Sequence, residues 1–268
     1  MNGVIFTETL RRSWKQIVWW GGSMAVLGFY IAVVVPTMDT LKQYADLMAS
    51  MPTAVFKLLG VNDAAAIATP EGFISFSYFG YALLILAVWA VWAGMNITAN
   101  EEDEGILDVV LALPVPRWRV VVEKFAAYAL IAVGIALISL PGLVLGLNNS
   151  ALKISTPKLV ASTVNLIPGL LLMLALTAFV GAWARRKSTA LAVTSTIIVA
   201  SYFADFIGRN GSGLLNDVLR ALSFFSYYDS MGVMTNGLNG GNVLLLLLVA
   251  ALLVVGSVWC FQRRDVGV

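Results

Sequence analysis

The sequence predicts an all-α integral membrane protein: six transmembrane helices with both termini in the cytoplasm. Three observations carry this: long uncharged apolar runs, an uneven placement of lysine and arginine, and the lack of any alternating strand pattern. Of 268 residues, 59% are hydrophobic and only 12% charged, and the mean hydropathy is +0.86. A soluble domain carries about 25% charged residues.

A helix crosses a bilayer with roughly 20 mostly apolar residues. Six stretches reach that length: 17–36, 73–98, 125–147, 159–184, 189–208 and 243–261. In lipid, only helices and closed barrels satisfy every backbone polar group, and the apolar–polar alternation of a barrel strand is missing. The first stretch follows Arg11, Arg12 and Lys15, as a signal peptide's apolar core would. It is too long for that core and no small-x-small cleavage site follows it, so it reads as an uncleaved span.

Orientation follows the cations, which concentrate on the cytoplasmic side of bacterial spans. One side holds Arg11, Arg12, Lys15, Arg117, Arg119, Lys124, Arg185, Arg186, Lys187, Arg263 and Arg264, which is 11 of 17. Lys42, Lys57, Lys153, Lys158, Arg209 and Arg220 fall on the other. Both termini then face the cytoplasm, as an even number of spans requires.

Several chemistries are excluded by composition. The chain has no histidine, which removes His-based metal sites, His general bases and Ser-His-Asp triads. Cys260 stands alone, so no intrachain disulfide forms. A net charge of +2 with dispersed cations gives no footprint for nucleic acid. Lys187-Ser188 is the only Lys followed by Ser or Thr; Arg186 precedes it and no strand does, so there is no phosphate-binding loop.

The loop at 99–124 is the most informative stretch. Asn100 is a good helix N-cap, and Glu101, Glu102, Asp103 and Glu104 fill the first turn, where the helix dipole favours negative charge. An apolar run with Gly105, Leu107 and Asp108 continues until Pro114 and Pro116 stop it, and Arg117, Arg119 and Lys124 lead into the third span. The plain reading is an interfacial connector. Four clustered carboxylates are poorly suited to an anionic leaflet, so the sharper reading is docking to a basic protein surface.

This loop resembles the cytoplasmic loop of ABC-2 type transporter permeases, in which an acidic cluster, Gly, a small hydroxyl residue, Leu, a hydrophobic stretch, Pro and a nearby Arg follow in order. Glu101, Glu104, Gly105, Leu107, Leu111, Pro114, Arg117 and Lys124 match, and Ile106 departs where the family has Thr or Ser. The stretch 8–16 is similar to that family's N-terminal elbow helix, placed here at 1–16. Segments at 51–73 resemble its first outer loop, and Leu222-Ser223-Phe224, Tyr227-Tyr228-Asp229 and Asn236-Gly237 its last, at 209–242. The resemblance implies a single permease domain over 1–268 with a type V exporter-like fold in a bacterial inner membrane. It further implies that Glu101 to Arg117, including Glu102, Asp103 and Asp108, form the coupling helix that contacts a separate ATPase subunit. ATP and Mg would then sit on that partner, with no cofactor in this chain. A second permease subunit, identical or homologous, would complete an exporter of a drug, lipid or peptide.

For the transport path, the second span offers Tyr78, Tyr81, Ile85, Trp89, Trp92 and Asn96, which spacings of three and four confine to an arc of roughly 80°. Helix packing explains such a stripe, and so does a stacking wall for apolar cargo. The fifth span offers Ser195 and Tyr202, nearly in line; Ser and Thr also serve close helix packing. In the resembled family, the second and fifth spans line the path. Asp205 and Arg209 form an i,i+4 pair near the outer end. Two rival functions follow from the residues: an ion-coupled carrier, which needs carboxylates in mid-span, and an intramembrane enzyme, for which polar catalytic groups are scarce.

Overall fold

A computed structural model of the chain describes residues 3–34, 37–50, 68–99, 116–184, 186–211 and 213–263. Among the described residues every regular element is helical. Six helices are long and apolar enough to cross a membrane: Ile17–Val34, Pro70–Thr98, Arg117–Asn148, Thr156–Trp183, Lys187–Arg209 and Gly240–Gln262, here spans 1 to 6. Spans 1, 3 and 5 begin at what is termed the proximal end of the bundle, and spans 2, 4 and 6 begin at the distal end.

Span 3 starts eight residues before the apolar run that predicts it. The extra turns carry Arg117, Arg119, Glu123 and Lys124, whose charges are matched locally. Arg119 pairs with Glu123 at 2.8 Å, and the buried Lys124 donates to the carbonyl of Asn96 at 3.2 Å. Hydropathy ends where these charges begin; the helix does not, because each charge finds a partner.

Span 4 is the centre, packed against spans 2, 3, 5 and 6, while span 3 packs chiefly on span 1. Lipid offers no hydrophobic drive between helices, so close approach at small residues supplies the attraction. At Gly94 of span 2, a Cβ would collide with Thr177 of span 4; at Gly142 of span 3, it would land on the backbone of Ala25. Polar pegs add register. Thr98 and Ser257 both donate to the carbonyl of Ala178 at 3.1 Å, joining spans 2, 4 and 6 at one oxygen.

The helix Val4–Ser13 precedes span 1 and has no side-chain cap of its own. Glu123 of span 3 supplies one: its carboxylate accepts the N–H groups of Gly3, Ile5 and Phe6 at 3.3, 3.1 and 3.1 Å. A helix start leaves such donors unpaired and carries partial positive charge, so a carboxylate belongs there. Within this helix, hydrogen bonds from Arg11 and Arg12 hold the Glu8 carboxyl below its usual range.

The stretch between spans 5 and 6 folds back into the bundle. Helix Leu214–Leu222 runs antiparallel to span 5: Asn216 donates to the Ile207 carbonyl at 2.9 Å, and Ser223 to the Ser201 carbonyl at 2.7 Å. The short helix Phe224–Tyr228 forms the bottom of the hairpin. There Asn165 of span 4 donates to the Tyr228 carbonyl, and the Tyr228 hydroxyl donates to the Phe79 carbonyl of span 2 at 2.9 Å. Phe79 closes a π-helical turn, Ser75–Phe79, a local irregularity that leaves backbone carbonyls open to outside donors. Helix Ser230–Asn236 then leads back toward span 6, with Asp229 capping it at the amide of Gly232. The expected outer loop is thus a re-entrant hairpin whose base lies about nine residues, or about 14 Å, inside the distal ends of spans 2 and 4.

Candidate functional site

The aromatic stripe of span 2 divides along its length. Tyr78 is 1% exposed and Trp89 0%, while Tyr81 is 38% and Trp92 50% exposed. Tyr78 donates to the Met24 carbonyl of span 1 at 3.3 Å, and the Trp89 indole donates to Gln16 at 2.8 Å. Both rings are committed to the contact with span 1 and its approach, so neither reaches an open face. On the wheel they lie at the edge nearest span 1; Ile85, Trp92, Tyr81 and Val88 lie progressively away from it. Asn96 is half-buried and returns its amide to the Trp92 carbonyl at 2.8 Å.

The open flank of span 2 meets span 5 across a lateral groove of about 390 Å³. Span 2 contributes Leu84, Val88, Val91, Trp92 and Met95. Span 5 contributes Leu191, Ser195, Ile198 and Val199, with Lys187 at the proximal mouth. Both sets follow spacings of three and four, and the two helices run antiparallel, so each presents one continuous stripe. The structure therefore brings Trp92 and Ser195 together. Tyr202 is set apart, half-buried and edge-on to Phe203 and Phe225 at 5.9 and 5.4 Å.

Near the distal end, Arg209 binds Asp205 at 2.8 Å and reaches Asp229 of the hairpin at 3.5 Å. Asp205 is thus neutralised by a neighbour. At the other end, Arg117 is the first residue of span 3. Glu101, Glu102, Asp103, Glu104, Gly105, Leu107, Asp108 and Pro114 lie outside the described residues, as do 51–67 of the first distal loop. Among the described residues no cluster of acidic or sulfur side chains could hold a metal ion.

The family described as multidrug efflux system permease Rv1217c, C-terminal domain, matches residues 7–262. The chain belongs to this efflux-permease family. None of the curated proteins matches the chain. The permease is a multi-pass membrane protein, and its match spans all six membrane helices.

Sequence reasoning missed four residues that shape this permease. Gln16 fixes Trp89, Glu123 caps the first helix, Asn165 holds the hairpin, and Lys187 lines the groove. Only Lys187 left a trace, as a cation at a span boundary. The other three act across more than 60 positions of sequence, where no local spacing could reveal them. Chemically, the groove can hold an apolar body against Trp92 and a polar end at Ser195 or Lys187.

Proposed function

We propose that this permease is the membrane subunit of an ABC-2 type exporter, moving apolar or amphipathic cargo with ATP hydrolysed by a separate subunit. The groove between spans 2 and 5 carries the reading. It is lateral and apolar, and it lies on the pair of helices that the resemblance assigns to the transport path. A groove open on one side needs a second wall. The matching family is described as the C-terminal domain of a multidrug efflux permease, which fits a unit that works beside another. A second such unit, identical or homologous, would face the first across spans 2 and 5.

In this reading the coupling element is the acidic loop with Glu101 to Glu104, and the proximal end would face the cytoplasm from a bacterial inner membrane. Lys124 supports the mechanics. Buried at the start of span 3, it binds the end of span 2, so both helices that flank the loop are clamped together. A push on the loop therefore moves spans 2 and 3 as one piece, and ATP-driven closure of two ATPase subunits would tilt span 2 against the partner unit. The ion-coupled carrier is less well supported, because Asp205 is occupied by Arg209.

Replacing Glu101, Glu102, Asp103 and Glu104 together with alanine should abolish co-purification with the cognate ATPase while membrane insertion persists. Normal assembly of that variant would remove the docking role. Cargo movement driven by an ion gradient without any ATPase would remove the ABC reading as a whole.

A further inference from the structure

Resting on the reading of the groove as the cargo path, we propose that it takes an anionic amphiphile from the proximal leaflet, and that Lys187 selects its charge. The dimensions come first. From Leu84 to Met95 the groove runs about 16 Å along span 2, and from Lys187 to Val199 about 18 Å along span 5, at about 1.5 Å per residue. That is roughly half of a hydrocarbon core about 30 Å thick, and it begins at the proximal end. The groove therefore serves one leaflet.

Charge comes next. Among the described residues that line the groove, Lys187 is the only ionisable one and none is a carboxylate. Some cations of the fold are paired, Arg119 with Glu123, Lys158 with Glu71 and Arg209 with Asp205. Lys187 makes no ion pair or hydrogen bond among the described residues. It is also the first residue of its helix, the end at which the macrodipole disfavours a cation, so helix stability does not account for it. An alkyl chain lying against Val88, Val91, Trp92 and Leu191 would bring an anionic head to its ammonium. A quaternary ammonium head would meet repulsion there.

The test uses the purified chain in zwitterionic nanodiscs and a long-chain alkyl sulfate brominated in mid-chain, which stays ionised at all working pH. Bromine quenches nearby tryptophan, and the Trp92→Phe variant isolates the part of the quenching that arises in the groove. The sulfate should quench Trp92 at a concentration roughly tenfold below its uncharged alcohol, the effect of one charge-assisted contact. Lys187→Gln should close that gap and Lys187→Arg should keep it. Equal quenching by sulfate and alcohol, a gap that survives Lys187→Gln, or tighter binding of the matching alkyltrimethylammonium would each overturn the proposal. So would equal quenching by a brominated zwitterionic phospholipid, which would make the groove an ordinary lipid-facing surface. Ser195→Trp separates this proposal from the one beneath it. If the filled groove leaves efflux by the assembled transporter intact, the path reading fails. If efflux stops while charge has no influence, only the assignment to anions fails.

Discussion

Trp89 and Trp92 stand three residues apart on one helix and live in different surroundings. Trp89 is sealed behind span 1, hydrogen-bonded to Gln16; Trp92 stands half-exposed over the groove shared with span 5. The same division holds along the whole of span 2. On the sealed flank, Tyr78 and Gly94 complete contacts with spans 1 and 4, and on the open flank, Tyr81, Ile85 and Val88 are partly exposed. Span 2 is at once a core helix and a wall. A helix built this way can be held firmly in its own subunit while it offers a face to something outside it, which is what a lever for transport requires.

This comparison breaks most visibly at Trp89. Trp89→Ala removes a fully buried indole and should cost about 3–5 kcal/mol, read as a large fall in the detergent-solution melting temperature. A near-native melting temperature would mean that the flank is not sealed. Gly94→Ala comes next. Its new methyl meets Thr177 of span 4, and overpacking of this kind costs about 1–3 kcal/mol, measurable by the same melt. Tyr228→Phe deletes the hydroxyl that ties the hairpin to the Phe79 carbonyl, with an expected loss of about 1 kcal/mol and faster proteolysis at 213–239. Unchanged protection there would separate the hairpin from the sealed flank. Trp92→Ala should shift stability by no more than about 0.5 kcal/mol, yet alter cargo-stimulated ATP hydrolysis in the assembled transporter. A melt as large as that of Trp89→Ala would erase the distinction between the flanks.

The hairpin and the stripe show where legibility in the sequence stopped. Helical character at 214–225 is plain from Leu214, Leu215, Val218 and Leu222 on one side, and these four remain exposed. That the segment turns back along span 5 depends on Asn216, Ser201 and Ser223, whose bonds are invisible to periodicity. Likewise the arc from Tyr78 to Trp92 is real. Where spans 1 and 4 cut across it is a matter of neighbours, and the π-helical turn at Ser75–Phe79 moves the phase of Tyr78 relative to the residues that follow.

The sequence by itself determined that the chain is helical, that six segments suit the interior of a bilayer, and which of them lie next to charge. These properties follow from composition over windows of about 20 residues, because lipid tolerates no unpaired backbone. Tertiary structure alone decided which side of each helix is spent on its neighbours. Tyr78 and Trp89 were drawn inward by single polar partners on span 1 and its approach, and Lys187 was left facing a groove, because these outcomes depend on atoms far apart in the chain. Hydrophobicity is nearly uniform around such helices, so only direct contact distinguishes a packed face from an open one.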